Sequence, residues 1–507
     1  MQKHSLIAVA VAFLATACTL EPNYQRPAAP VSGTFPTGGP YSTQPGAADN
    51  GTRSANAQAA ADIGWRDFFT DPRLQRLIEI SLKNNRDLRV SVLNVQASQA
   101  QYQVTRAGLF PTINAVGSET KTRTPKDLSF FNQTITNEYS VGLSGSWELD
   151  FFGRIQSLKD QALDQYLATA QARKAAEILL VSQVADQYLT VLSFDDLLQV
   201  TEGTLKTAQE SYRITKLQFD NGTGSELDLR QAQTVVEQAN ANYQSEIRLR
   251  AQAVNALVLL VGEPLPEDLP PGLTLGDQNL LTDIPAGLPS DLLTRRPDII
   301  EAEENLLAAN ANIGAARAAF FPKISLTGNF GTLSPTLGSL FKPGSAAWGF
   351  SPQITLPIFT GGQNKADLDL ANVQKNIQIA TYEKAIQTAF REVADGLAAR
   401  GTYDEQIAAL ERDTFAEQRR LDLSDLRYRN GVDSYLLVLT AQTSLYTAQQ
   451  ELISARVARL TNLVTLYEAL GGGWIERNGD QPRPADAPVD YSAAASAPAA
   501  ASAPSVN

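Results

Sequence analysis

One segment of this sequence occurs twice. Residues 87–111, DLRVSVLNVQASQAQYQVTRAGLFP, align without a gap on residues 298–322, DIIEAEENLLAANANIGAARAAFFP, at an offset of 211. A second pair, residues 219–233 and 428–442, aligns at an offset of 209 and has Asn-Gly at the same place in each copy. Solenoid units are about 20–50 residues long. A period near 210 therefore predicts two duplicated halves, each containing the same elements once.

The N-terminus has the pattern of an export signal. Lys3 precedes an apolar run at residues 6–13, and Leu14-Ala15-Thr16-Ala17-Cys18 follows. The run is too short to span a bilayer, which needs about 20 residues, so we expect residues 1–17 to be a signal peptide. The segment before Cys18 resembles a bacterial lipobox, which implies N-palmitoyl and S-diacylglycerol groups on Cys18, and Thr19 implies sorting to the outer membrane. A cleaved signal without lipid is the alternative.

Few side chains are available for chemistry. Met1, His4 and Cys18 are the only Met, His and Cys of the chain. After removal of residues 1–17, His-based triads and His/Cys metal sites are excluded, as is a Cys nucleophile if Cys18 is lipidated. We predict no enzyme activity, no metal and no cofactor apart from the covalent lipid. The net charge of −12 disfavours nucleic acid as a partner.

Four short segments alternate between apolar and polar residues and predict strands near residues 111–120, 138–152, 322–331 and 347–360. Their length, about 10 residues, and their two-sided pattern are typical of transmembrane β-strands. Half-buried strands of a soluble sandwich have the same pattern and remain an alternative on this evidence alone.

The other segments predict helices. Residues 156–219 and 363–428 contain no Pro, and more than 60 residues at 1.5 Å each give helices of roughly 100 Å. The shorter predicted helices are residues 72–107, 227–261, 292–318 and 436–470. An extended coiled coil would explain the long helices, but it would not explain the strand pairs.

These patterns divide the chain into a signal peptide (1–17), an extended tether (18–62), a duplicated channel domain (63–475) and a disordered tail (476–507). The repeats of the channel domain are about 63–270 and 280–475. Four strands cannot close a barrel, and an open sheet edge is not tolerated in lipid. Three copies would supply twelve strands, an even number as bacterial barrels require.

Three motifs make the chain resemble a known family. They are Cys18 with PNYQRP at 22–27, LDFFGR at 149–154 and LPSDLLTRRPD at 288–298. Together with the duplication they are similar to the TolC-type outer-membrane factors, in the lipoprotein OprM/NodT-like branch. The resemblance implies a mixed fold, in which a long all-α periplasmic helical barrel joins a transmembrane antiparallel β-barrel. It also implies a homotrimer in the bacterial outer membrane, a periplasmic adaptor (membrane fusion) protein and an inner-membrane drug/proton antiporter of the resistance–nodulation–division (RND) class.

Two helix turns are equivalent by the duplication, and we expect them together at the periplasmic end of the tunnel. Gly222 and Gly431 mark their tips, after Asn in each case. Asn-Gly suits the end of a helix, and Ser225 and Ser434 can cap the helices that follow.

The resemblance implies a gate at these turns. In TolC-like channels a Tyr and an Asp at the matching positions hold the entrance shut, which here predicts a bond between Tyr428 and Asp228. Arg427 or Arg429 is expected to pair with Glu226 or Asp228. The alternative is that these residues are ordinary solvated pairs on helix faces.

Two positions make the charge of the entrance uncertain. Family members commonly carry an acidic residue where this chain has Thr440. Asp433 in the turn can supply an acidic ring instead, and an ordinary solvated turn residue is the alternative. At the opposite end, loops at about 119–138 and 332–346 are expected to face outside, with Phe130 and Phe131 able to plug the mouth.

The resulting prediction is the outer-membrane channel of a tripartite drug efflux pump. The nearest alternative is the outer-membrane duct of a type I protein secretion system. A structural envelope spacer is a third possibility, although the strands disfavour it.

Overall fold

The computed structural model describes residues 19–41, 59–125, 127, 135–280 and 289–480. The predicted signal peptide, Cys18, Phe130, Phe131 and the tail beyond 480 lie outside the described residues. The elements in chain order are α1 Trp65–Phe68, α2 Pro72–Asn84, α3 Arg86–Ala107, β1 Thr112–Arg123, β2 Ile135–Leu149, α4 Arg154–Asp220, α5 Glu226–Val261, α6 Pro289–Arg295, α7 Pro297–Ala318, β3 Lys323–Ser334, β4 Ala346–Thr355, α8 Gln363–Arg429 and α9 Tyr435–Ala469. Single 3₁₀ turns lie at Gly39–Tyr41, Ala60–Asp62, Leu275–Asp277 and Leu337–Ser339.

The two long helices match in length. α4 and α8 each contain 67 residues, which corresponds to roughly 100 Å. Each begins and ends within two residues of the predicted boundaries. Among the described residues, no helix is long and apolar enough to cross a membrane.

Two predicted helices are each divided in two, and the breaks are equivalent by the duplication. The helix predicted at 72–107 stops at Asn85, whose backbone is extended (ψ 132°). Its side-chain Oδ1 accepts the N–H of Leu88 at 2.9 Å and so caps α3. The helix predicted at 292–318 stops at Arg296, 211 residues later, because Pro297 disfavours helical geometry in the residue before it.

The contacts divide the chain into two compact units. The first contains the described parts of Met1–Ala28, Asn94–Thr169 and Glu301–Glu383. The second contains those of Ala29–Leu93, Ala170–Ile300 and Lys384–Asn507.

The first unit contains one sheet of four antiparallel strands in the order β1-β2-β3-β4. All four predicted strands are present, although β4 ends at Thr355, before Pro357, and does not reach residue 360. Each strand adjoins its own helix: β1 follows α3, β2 precedes α4, β3 follows α7 and β4 precedes α8. One face of the sheet exposes large apolar side chains, such as Phe330 (67% exposed) and Trp348 (78% exposed).

The loops predicted at 119–138 and 332–346 are shorter than expected. β1 continues to Arg123 and β2 begins at Ile135. β3 continues to Ser334, since the alternating pattern runs further than the apolar residues alone suggest.

The second unit has an aromatic core. Phe68 stacks on Tyr467 with ring centroids 4.1 Å apart, and Phe69 packs edge-on against both. The buried Arg296 guanidinium donates to the carbonyl of Ala469 at 2.9 Å and to the carboxylate of Glu392 at 2.8 Å. The break before α7 is therefore fixed by polar contacts to α8 and α9.

A buried carboxyl group also lies in this unit. Burial raises the pKa of Asp186 to about 7, and the nearby Glu468 carboxylate adds to the shift. The Oδ1 atom of Asp186 has no hydrogen-bond partner among the described residues. Burial therefore favours the neutral form of Asp186 in the folded protein.

Both predicted terminal segments differ in part from the expectation. The tether predicted at 18–62 has no helix or strand over 19–38, but it packs against the helices, and Phe35 stacks on Phe390 at 5.1 Å. The start of the tail predicted at 476–507 is ordered by contacts: Glu476 pairs with Arg66 at 2.6 Å and Asn478 accepts the N–H of Gly64.

Candidate functional site: the paired helix turns

The two predicted turns are built alike. The tip residues Gly222 and Gly431 have φ of 71° and 70°, a left-handed conformation that costs other residues about 1 kcal/mol or more. Each turn closes with the six-residue hydrogen bond of a Schellman motif. These bonds run from Thr223 N–H to Gln218 C=O (2.9 Å) and from Val432 N–H to Arg427 C=O (3.0 Å).

The helix starts after the turns differ. Ser225 Oγ accepts the backbone N–H of Asp228 at 3.1 Å and caps α5 as predicted. Ser434 occupies the same place before α9, but its side chain makes no capping bond. The prediction of a serine cap is right for the first turn and wrong for the second.

Tyr428 is bonded differently from the prediction. Its hydroxyl donates to Oε1 of Gln218 at 3.0 Å, and its ring lies 5.1 Å from that of Tyr435. Among the described residues there is no hydrogen bond between Tyr428 and Asp228. Burial raises the pKa of the Tyr428 hydroxyl, and the nearby Asp228 carboxylate adds to the shift.

The arginines pair locally. Arg427 bonds both oxygens of Asp433, at 2.5 and 3.1 Å, because the turn brings these two residues to the same side. This contact holds the pKa of Asp433 below its usual value. Arg429 pairs with Asp425, one helical turn earlier, at 2.8 Å. Within the protomer, neither arginine pairs with Glu226 or Asp228 as predicted, since partners a few residues away require less side-chain ordering.

The remaining predicted residues also have local partners or none. Glu226 pairs with Arg230 at 3.4 Å across one turn of α5. The Thr440 hydroxyl donates to the carbonyl of Leu436 on its own helix at 2.9 Å. The Asp228 carboxylate accepts no hydrogen bond from the described residues of its own chain.

Three tyrosine hydroxyls connect the two halves of the chain along α4. All three come from α8 or α9 and bond a polar side chain of α4. The bonds are Tyr428 to Gln218 (3.0 Å), Tyr435 to Ser211 (2.6 Å) and Tyr446 to Thr201 (2.9 Å). The α4 residues of these three bonds were not predicted from the sequence. The seven-residue spacing of Ser211 and Gln218, which places both on one helix face, was the available signal.

An apolar cluster lies beside these bonds. Its buried members are Ala232, Tyr435, Val438 and Leu439, with Tyr212, Val235, Leu421 and Tyr428 packed around them. Since α4, α5, α8 and α9 all contribute, the four helices are tied together next to the turns. No group of three His, Cys, Asp or Glu residues in the described part of the chain could hold a metal ion.

The comparisons with known proteins agree with this architecture. The family described as "Outer membrane efflux protein" matches residues 77–263 and 288–472, one match in each half. The chain is 51% identical over 478 residues to the "Antibiotic efflux pump outer membrane protein ArpC" of Pseudomonas putida, covering 94% of this chain and 97% of that protein. The "Toluene efflux pump outer membrane protein TtgC", also of Pseudomonas putida, matches with the same identity and coverage.

A solved structure has the same fold. The open state of the MtrE outer membrane channel of Neisseria gonorrhoeae is 41% identical, with a TM-score of 0.80, over 91% of this chain and all of that one. The TolC-like fold inferred from the motifs is thus confirmed. The chain belongs to the outer membrane efflux protein family and is an efflux channel of the outer membrane, not an enzyme.

Proposed function

We propose that this chain forms, as a homotrimer, the exit duct of a tripartite pump that moves antibiotics and other small molecules from the periplasm to the exterior. The sheet is the observation that carries the proposal. Within the described part of the chain β1 and β4 each pair on one side only, and unpaired edges are not tolerated in lipid. Three copies joined edge to edge would give a closed barrel of twelve strands.

The duplicated helices support the same assembly. Val104 of α3 is 67% exposed, whereas Ala315, its equivalent in α7, is 8% exposed. The beginning of α8 exposes Leu370, Val373 and Ile377. The apolar surface left open thus lies on the outer two of the four helices that adjoin the strands, where a neighbouring copy would cover it.

We further propose that Cys18 carries the lipid anchor and that no other cofactor is bound. The position of the segment after Cys18 supports this. The carbonyl of Leu20 accepts a hydrogen bond from Arg317 at 3.1 Å, and Arg317 lies six residues before β3. Leu20, two residues after Cys18 in the sequence, therefore lies near the start of β3, where lipid would be available.

We also propose a gate at the two turns, with partners partly different from those predicted. Tyr428 and Gln218 hold the two turns of one protomer together, while the Asp228 carboxylate accepts no bond from the described residues of its own chain. In the trimer we assign Asp228 and Glu226 to contacts with Arg427 or Arg429 of a neighbouring copy. Asp433, bonded to Arg427, contributes to the charge of the entrance.

The names of the relatives support the cargo and the partners. ArpC and TtgC are named for efflux of antibiotics and of toluene, which favours small molecules over secreted proteins. The chain contains no nucleotide-binding motif, so the energy comes from elsewhere. We assign that role to an inner-membrane RND drug/proton antiporter, connected through a periplasmic adaptor.

Deletion of the gene tests this function. Cells without it should accumulate more of a fluorescent dye and of several antibiotics, and the intact gene should reverse the effect. Unchanged accumulation together with the loss of a protein from the medium would contradict the proposal and indicate a secretion duct.

A further inference from the structure

The segment after Cys18 lies along one face of α7 and is bonded there by three residues. Glu303, Asn310 and Arg317 are spaced seven residues apart, and a seven-residue spacing keeps them on one side of the helix. We call these three residues the α7 stripe, and residues 20–26 the strap. All of them belong to the first unit.

The contacts follow the strap in order along the stripe. At its beginning, the carbonyl of Leu20 accepts from Arg317 at 3.1 Å. In the middle, Nδ2 of Asn310 donates to Oε1 of Glu21 at 3.0 Å and to the carbonyl of Pro22 at 2.8 Å. The strap therefore runs antiparallel to α7.

The end of the strap makes the strongest contacts. Arg26 forms two bonds of 2.7 Å to the two oxygens of Glu303, and the Tyr24 hydroxyl donates to Glu303 at 3.1 Å. Glu303 is buried (8% exposed) and Asn310 fully so. Bidentate contacts between arginine and carboxylate fix geometry as well as energy.

The other half of the chain lacks this site. The equivalents of Glu303 and Asn310 in α3 are Val92, which has no carboxylate, and Gln99, which is exposed. Gly314 lets the strap approach, because a Cβ there would lie 3.1 Å from Cα of Glu21. Its equivalent is Gln103, which would block such an approach.

We propose that the α7 stripe is a docking site that accepts the strap in one register only, and that this docking is required for the channel to assemble in the membrane. This proposal rests on the proposed function in one respect only, namely that the strap serves the assembly of an outer-membrane channel. The contacts at the two ends of the strap, Leu20 with Arg317 and Arg26 with Glu303, must form together. A shift by one or two residues would leave the buried Glu303 carboxylate or Nδ2 of Asn310 without a partner, which is costly. Only Oδ1 of Asn310 would keep its donor, Lys375 at 2.8 Å.

Ser157 offers a reporter of docking. It is 1% exposed, and its Oγ has no partner among the described residues. The same Cβ position at Gly314 lies 2.5 Å from this Oγ, so the buried Ser157 side chain lies close to Glu21 of the strap. Ser157→Cys changes little in size, and a maleimide should reach the new thiol only when the strap lifts.

The first experiment labels the full-length Ser157→Cys protein in cells, with the parent chain as the control for any reaction at Cys18. Arg26→Glu or Glu303→Arg should each raise the labelling rate about tenfold by releasing the strap and should reduce the amount of assembled channel in the outer membrane. The double variant, which restores the pair with reversed charges, should return both readouts to within about twofold of the parent. Arg213→Glu, which breaks an exposed pair with Glu210 on α4, is the matched control and should change neither.

The second experiment tests the register with a Gly-Ser insertion. Placed between Pro22 and Asn23, it should release one end of the strap and lower assembly. The same insertion after Gly33, which has open space around it, should have no effect.

Equal effects of the two insertions, or no rescue by the double charge reversal, would overturn the proposal. So would release of the strap with normal assembly. These outcomes are separable from failure of the proposed function, which the deletion strain reports by unchanged drug accumulation.

Discussion

Tyr428→Phe isolates the contribution of one hydroxyl to closure of the channel. The substitution removes the 3.0 Å bond to Gln218 but keeps the ring that packs against Tyr435. A bond between neutral groups contributes about 1 kcal/mol net. Three copies would shift the balance between closed and open states by about 3 kcal/mol, or roughly a hundredfold.

The assay is the conductance of the purified channel in planar bilayers, together with the sensitivity of cells to an antibiotic too large for general pores. Tyr428→Phe should increase both. Tyr446→Phe is the matched control, because it removes a similar bond, to Thr201 at 2.9 Å, far from the turns. If Tyr428→Phe behaves as the wild type, or if the control gives an equal increase, the gate is not at Tyr428.

Three further predictions concern stability and are measured by thermal unfolding. In the folded chain the raised pKa of Asp186 disfavours its ionised form, so stability is lost as pH rises from about 4 to about 7. Asp186→Asn, beside Glu468, should therefore stabilise by up to about 4 kcal/mol at pH 8 but hardly at pH 4. Gly431→Ala should cost about 1 kcal/mol because of its positive φ, whereas Gly203→Ala, within α4 and with open space around it, should stabilise by about 0.5–1 kcal/mol. Asn85→Ala should cost about 1–2 kcal/mol through loss of the α3 cap and of a buried bond, and an unchanged melting temperature would contradict this.

The regular elements were predictable because each depends on a local period. The absence of Pro indicated α4 and α8, and the alternation indicated the strands. The breaks were missed for different reasons. Pro297 marks the second break directly. Asn85 is a residue type that often caps helices, but this signal is weaker, and only the offset of 211 shows that Asn85 is equivalent to Arg296.

The residues of the turns were predictable, but their partners were not. Gly222 and Gly431 follow from the Asn-Gly pairs, because a left-handed residue is needed there. The choice of Gln218 by Tyr428, and of Asp433 by Arg427, depends on which rotamers reach across the turn. Sequence spacing does not fix rotamers.

The equal lengths of α4 and α8 constrain how this protein can be lengthened by evolution or by design. One added heptad moves a helix end by about 10 Å. Heptads inserted in α8 and α9 alone would therefore carry Tyr428 out of reach of Gln218. A longer channel would need four matched heptads. Those in α4 and α5 would have to be accompanied by heptads at the equivalent places in α8 and α9. Indels in this family should therefore come in pairs about 209 residues apart, and an unpaired one would be expected only in the strand-connecting loops.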